Sequence, residues 1–155
     1  MTTSYDKSSL DQTFRHLLIT WQGVSAQAAN EDTVYVRFNN DSGSNYDHIA
    51  NSLVNTTVTG SPATAQSLLR VGACKAASGT SSKAGQGFVL VQSYAETTNH
   101  KTVLGGCFSM YGTTAATMRL ELIGGLWRAT TAISRVQLAA ANGNFTGRVS
   151  VYGLP

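Results

Sequence analysis

The chain has 155 residues and a net charge of +3, and its 12% of charged residues is about half the usual ~25%. A single domain of this length buries roughly 68–70% of its unfolded surface, so a core can form without disulfide or metal, and the recurring apolar segments exclude disorder. Lys and Arg are scattered without a basic run among aromatics, which speaks against nucleic acid as a partner, and no apolar window is long enough for a membrane-spanning helix.

Residues 1–12 are polar and without periodicity, with Tyr5 and Leu10 as their apolar anchors; they are expected to form an N-terminal arm, free in solution or laid on a neighbour, ahead of one domain over 13–155. Phe14 to Val24 reads as the first strand, with Leu17, Ile19 and Trp21 on the better core face. A polar connection over Ser25 to Asp32 follows. Thr33 to Phe38 alternates strictly, placing Val34, Val36 and Phe38 on one face of a half-buried strand. The run then stops at Asn39-Asn40-Asp41-Ser42-Gly43-Ser44-Asn45, whose side chains bond their own backbone or tolerate left-handed conformations, and restarts at Tyr46. Tyr46 to Val58 reads as strand three, broken by Gly60-Ser61-Pro62. Ser67 to Cys74 is a strand, and Ala76 to Gln86 a surface loop. Gly87 to Tyr94 and Lys101 to Tyr111 are the next two strands, joined by a polar turn over Ala95 to His100. Thr113 to Thr117 turns again. Met118 to Ile123 and Leu126 to Leu138 read as a hairpin with Gly124-Gly125 at its tip, Asn142-Gly143-Asn144 is a second hairpin signal, and Thr146 to Leu154 closes the chain. About eight strands with no convincing helix predict an all-β, antiparallel sandwich of jelly-roll type.

Little in this pattern points to reactive chemistry. His16, His48 and His100 lack metal-ligand spacing, and the glycines of Lys83 to Gly87 lack the phosphate-loop arrangement. The eight carboxylates show no paired spacing, so only folding can bring two together for glycoside hydrolysis. Neither a cofactor nor a metal is expected, and the chain is read as non-enzymatic. The Asn39, Asn40, Asp41, Gly43, Asn45, Tyr46 corner offers oxygens around a glycine as a calcium loop does. It lacks the terminal bidentate Glu and the regular carboxylate spacing, and a capped turn accounts for it. Cys74 and Cys107 read as buried hydrophobes. The first residues carry no secretory signal, so synthesis in a cytoplasm with reduced thiols is expected. Trp21 and Trp127 read first as packing in the core or against a subunit, and as such are candidate partner contacts; a sugar-stacking platform is the other reading.

The order of FRHLLIT, VYVRFNNDSGSNYD, Tyr94 followed by Lys101, and the closing GLWRATTAISRVQLAAANGNFTGRVSVYGL resembles small virion structural proteins of tailed bacteriophages, over Phe14 to Leu154. The sequence departs from the family pattern at Asn40, where glycine is usual, and at Arg148, near a usual Ser. The resemblance implies a virion protein made in the host cytoplasm, either a head decoration protein or a tail-fibre or tail-tip module. With no shaft sequence beside the domain, it implies first a capsid decoration or cementing protein. Such a protein is a homo-oligomer, with a trimer favoured, and binds the major capsid protein or other virion proteins partly through its arm, where Tyr5 and Leu10 lie. The alternative it leaves is a receptor- or carbohydrate-binding module whose partner is a host glycan.

Overall fold

The computed structural model describes residues 5–78, 84–111 and 117–155. They form eleven strands and no helix: β1 Tyr5–Lys7, β2 His16–Ser25, β3 Glu31–Phe38, β4 Tyr46–Val54, β5 Thr57–Gln66, β6 Leu69–Lys75, β7 Gly85–Val91, β8 Lys101–Tyr111, β9 Thr117–Trp127, β10 Val136–Ala140 and β11 Phe145–Leu154. Hydrogen bonding runs in the order β1-β10-β3-β6-β2-β7-β8-β9-β4-β5, with β11 on the other side of β2. The β6–β2 link is one parallel pair, Val24 with Lys75, while every other ladder is antiparallel. At that link the chain doubles over. The small sheet β1-β10-β3-β6 covers one face of the large sheet β11-β2-β7-β8-β9-β4-β5, and β6 lies across β7, β8 and β9. The fold is all-β and sandwich-like, with a mixed rather than purely antiparallel sheet.

The core between the layers is built by the alternation read in the first half of the chain. Leu17, Ile19 and Trp21 of β2 and Val34, Val36 and Phe38 of β3 all point inward and are buried, as are Leu69 and Val71 of β6 and Val136 and Leu138 of β10. β6 comes close because Gly72 adopts φ +145°, a conformation favoured by glycine. A Cβ there would lie 2.6 Å from that of Cys107 and 2.8 Å from the Trp21 ring. The ladder to β3 skips Val71 at this point, a bulge that lets β6 follow both neighbours.

Several expectations are corrected. The arm is not free over its described part: Tyr5–Lys7 is β1, paired along β10, and Asp6 forms an ion pair with Arg135. Leu10 is buried, its N–H donates to the Ser134 carbonyl at 3.1 Å, and the Tyr94 hydroxyl bonds the Asp11 carbonyl. Residues 1–4 lie outside the described residues. Tyr46 to Val58 is two strands, because Asn55 turns the chain at φ 52° and β5 runs on through Gly60-Ser61-Pro62. Pro62 is tolerated there because β5 is an edge. Gly124-Gly125 is mid-strand rather than a tip, since β9 continues to Trp127 and the chain beyond it is irregular up to β10. Asn142-Gly143-Asn144 crosses between sheets rather than closing a hairpin. β10 pairs β3, β11 pairs β2, and the Asn142 and Gly143 N–H groups donate to the buried Asp32 carboxylate at 3.2 and 3.1 Å. The turn read at Thr113 to Thr117 falls on 112–116, outside the described residues, apart from its last residue, which opens β9.

Candidate functional site

The polar corner is a capped turn. Asn39 and Asn40 take left-handed φ of 50° and 61°. The Asn39 amide donates to the Ala132 carbonyl at 2.8 Å, and its oxygen accepts from the N–H groups of Ser134 (2.9 Å) and Arg135 (3.1 Å), tying the corner to the segment before β10. Asp41 accepts from the Gly43 N–H at 2.8 Å, the Asn45 amide at 2.9 Å and the Trp127 indole at 2.7 Å. Burial raises the Asp41 carboxyl, but these donors outweigh it and hold the group below the usual carboxylate range. The Tyr46 hydroxyl accepts from the Phe38 N–H at 3.0 Å, and its ring stacks on Trp127 at 6.3 Å. Both Asp41 oxygens therefore point at N–H donors rather than at a vacant centre. Among the described residues no three His, Cys, Asp or Glu side chains could hold a metal ion.

A second polar cluster lies between the layers. Glu121 of β9 is fully buried, accepting from the Ser52 hydroxyl and the Arg70 guanidinium at 2.5 Å each, with Arg119 at 3.4 Å. The same Arg119 nitrogen reaches Glu31 at 3.0 Å. Folding thus brings two carboxylates together, but around an arginine, and Glu121 has no exposed surface with which to meet a substrate. Burial raises the Glu31 carboxyl above its usual range, with Arg119 opposing. Cys107 contacts Glu121 at 3.7 Å, and burial pushes its thiol, and that of Cys74, up to about 12. Both stay protonated and unpaired, which removes them as nucleophiles at neutral pH.

The candidate contact residues divide. Trp21 and Trp127 are core residues, 3% and 1% exposed, and so neither faces a subunit or a sugar. Leu10 is buried in its own chain, and Tyr5 is half-buried against the core. The exposed apolar surface lies elsewhere, on the outer face of the large sheet. Ten of the large apolar side chains that stay exposed sit there. Ile49 and Leu53 come from β4 and Val58 from β5; Phe88 lies on β7, with Leu104 and Phe108 on β8. Met118, Leu120 and Leu122 follow on β9, and Tyr152 on β11. The formally charged strand residues on this face are Arg148 of β11 and Asp47 of β4. Asp47 is paired with Arg128 at 3.3 Å. A groove of about 500 Å³ runs between Phe88, Phe108, Leu120 and Leu122, with Gly106 beneath and Gln22, Gln86 and Arg148 at its rim. About half exposed, ten such side chains present on the order of 900 Å², beyond the ~300–600 Å² of the largest patch on an ordinary monomer. Covering that area is worth roughly 20 kcal/mol before the costs of association.

No family model and no curated protein matches the chain.

Proposed function

We propose that this chain is a non-enzymatic structural protein of a tailed-phage particle, a capsid decoration protein that binds the outer head surface as an oligomer. The outer face of the large sheet is the observation that carries this reading. A face this wide and apolar, with its charges at the margins, is built to be covered by protein. The ionisable groups support it: Glu121, Asp32 and Asp41 are each committed to bonds within the fold, those of Glu121 to Arg70 and of Asp32 to Ser25 joining the layers. The resemblance of the corner and of the closing strand to virion proteins supplies the setting.

Immunogold labelling of intact particles with antibody to this chain tests the reading. Label over the head in many copies is the expected result. Label confined to the tail or its tip would favour the receptor-binding alternative, for which the exposed Phe88 and Phe108 would replace the buried tryptophans as sugar contacts. No label on any particle would overturn both.

A further inference from the structure

The centre of the outer face carries a pattern that apolarity alone does not require. On β8 and β9 the cross-strand neighbours facing outward are Leu104 with Gly124, and Gly106 with Leu122. Each row sets a leucine beside a glycine, and the next row reverses the order. Leu104 and Leu122 project, 59% and 62% exposed. Gly124 leaves an open hollow; at Gly106 a Cβ would lie 3.3 Å from the Phe88 ring, which walls one side of the hollow where it opens into the groove of about 500 Å³.

Such a checkerboard is its own complement. Consider a second copy turned over about an axis parallel to the strands and midway between β8 and β9. Within each row the two strands change places. Leu104 of the second copy then stands over Gly124 of the first, and Leu122 over Gly106. In the following row Phe108 meets Leu120, apolar against apolar. This is an isologous contact, in which residue i meets j and j meets i. No charge lies on the outward positions of β7, β8 or β9, so like faces meet without like charges opposed. The apolar area of roughly 900 Å² matches the ~800 Å² that each partner buries in a standard interface. An unrelated protein has no reason to repeat the register of this strand pair; a second copy carries it by construction.

We propose that the outer face is covered by a second copy of this chain, in a two-fold pairing about β8 and β9 in which Leu104 and Leu122 of each copy fill the hollows at Gly124 and Gly106 of the other. The pairing deepens the structural reading and rests on its claim that this face is covered, and it replaces with a two-fold the three-fold that the resemblance implies.

Sedimentation of the purified chain at micromolar concentration tests it. A dimer is expected for the wild type. A Cβ at Gly124 would meet only Ile49 Cγ2, at 3.6 Å, so Gly124→Leu fits the single chain while filling the hollow. It is expected to weaken the dimer roughly 100-fold with an unchanged circular-dichroism spectrum. Adding Leu104→Gly moves the projection from β8 to β9 within the row, which the strand-parallel axis accommodates, and the double variant is expected to recover the dimer. A monomeric or trimeric wild type, a Gly124→Leu dimer as tight as wild type, or a folded double variant without recovery would each overturn the pairing. None of these would remove label from the head, so the pairing can fail while the structural reading stands.

Discussion

Gly124 and Gly125 are neighbours in β9 and face opposite ways, and they summarise the two faces of the large sheet. A Cβ on Gly125 would lie 2.7 Å from the buried Leu69 side chain, which β6 presses into that position from the small sheet. A Cβ on Gly124 would meet one methyl group at van der Waals distance. Inside, the hollow left by glycine is filled by the other layer; outside, none of the described residues fills the equivalent hollow beside equally apolar neighbours. β7, β8 and β9 thus carry two apolar faces, of which the described residues cover one. Strands covered on both faces belong to the middle of a multilayer structure, and the proposed pairing would supply that outer layer for β7, β8 and β9.

Five substitutions test this contrast, beginning with the inner face. Glu121→Ala takes the buried carboxylate away from both Arg70 and Arg119, and is expected to cost about 3–5 kcal/mol, read from urea unfolding. A loss under 1 kcal/mol would mean that the cluster does not join the layers. Gly125→Val drives a side chain into Leu69 and is expected to cost about 1–3 kcal/mol, whereas Gly124→Val should leave the monomer within about 0.5 kcal/mol of wild type. Equal losses at the two positions would erase the distinction between the faces. At the rim of the inner layer, Asp41→Asn weakens the acceptor for the Trp127 indole, with an expected loss of about 1–2 kcal/mol at neutral pH. Because the folded-state pKa of Asp41 is lowered, its stabilisation is complete above the ordinary carboxylate range and disappears as pH falls through the folded value. The variant should therefore lose less stability on acidification than wild type, and parallel curves would contradict the assignment. The smallest effect on folding is expected on the outer face, where Leu122→Lys should leave the unfolding midpoint of dilute protein unchanged and reduce binding of a hydrophobic dye.

The first half of the fold was legible because its alternation is clean: Leu17, Ile19 and Trp21 of β2 and Val34, Val36 and Phe38 of β3 are buried as the period-two pattern places them, and the Asn-rich corner stops β3 where its side chains can cap it. β9 is different. Its alternation places Met118, Leu120 and Leu122 against Arg119 and Glu121, and a reading for one chain turns the leucines inward. The structure turns Arg119 and Glu121 inward, where Arg70, Ser52 and Glu31 meet them, and leaves the leucines out. Arg70 on the facing layer and Ser52 on the neighbouring strand, 51 and 69 residues away in sequence, are invisible to local pattern. For the tryptophans the sequence left core and subunit packing open, because aromatic content marks large contact surfaces without saying whether the contact is within a chain or between chains, and the structure places both in the core. The outer face did leave a signal in sequence, in the near-continuous apolar runs of Phe88 to Val91 and Val103 to Met110. Such runs mark strands covered on both sides, and a two-layer domain covers the strands of each sheet on one side only.

Hydroxyl-radical footprinting of the intact chain at rising protein concentration reads the outer face most directly. Phe88, Phe108 and Met118 should lose reactivity together as concentration rises, while Phe14, exposed to a similar degree as Phe108 but off this face, keeps its own. Outer-face residues that stay as reactive as Phe14 at every concentration would contradict the account, since the face would then remain open to water.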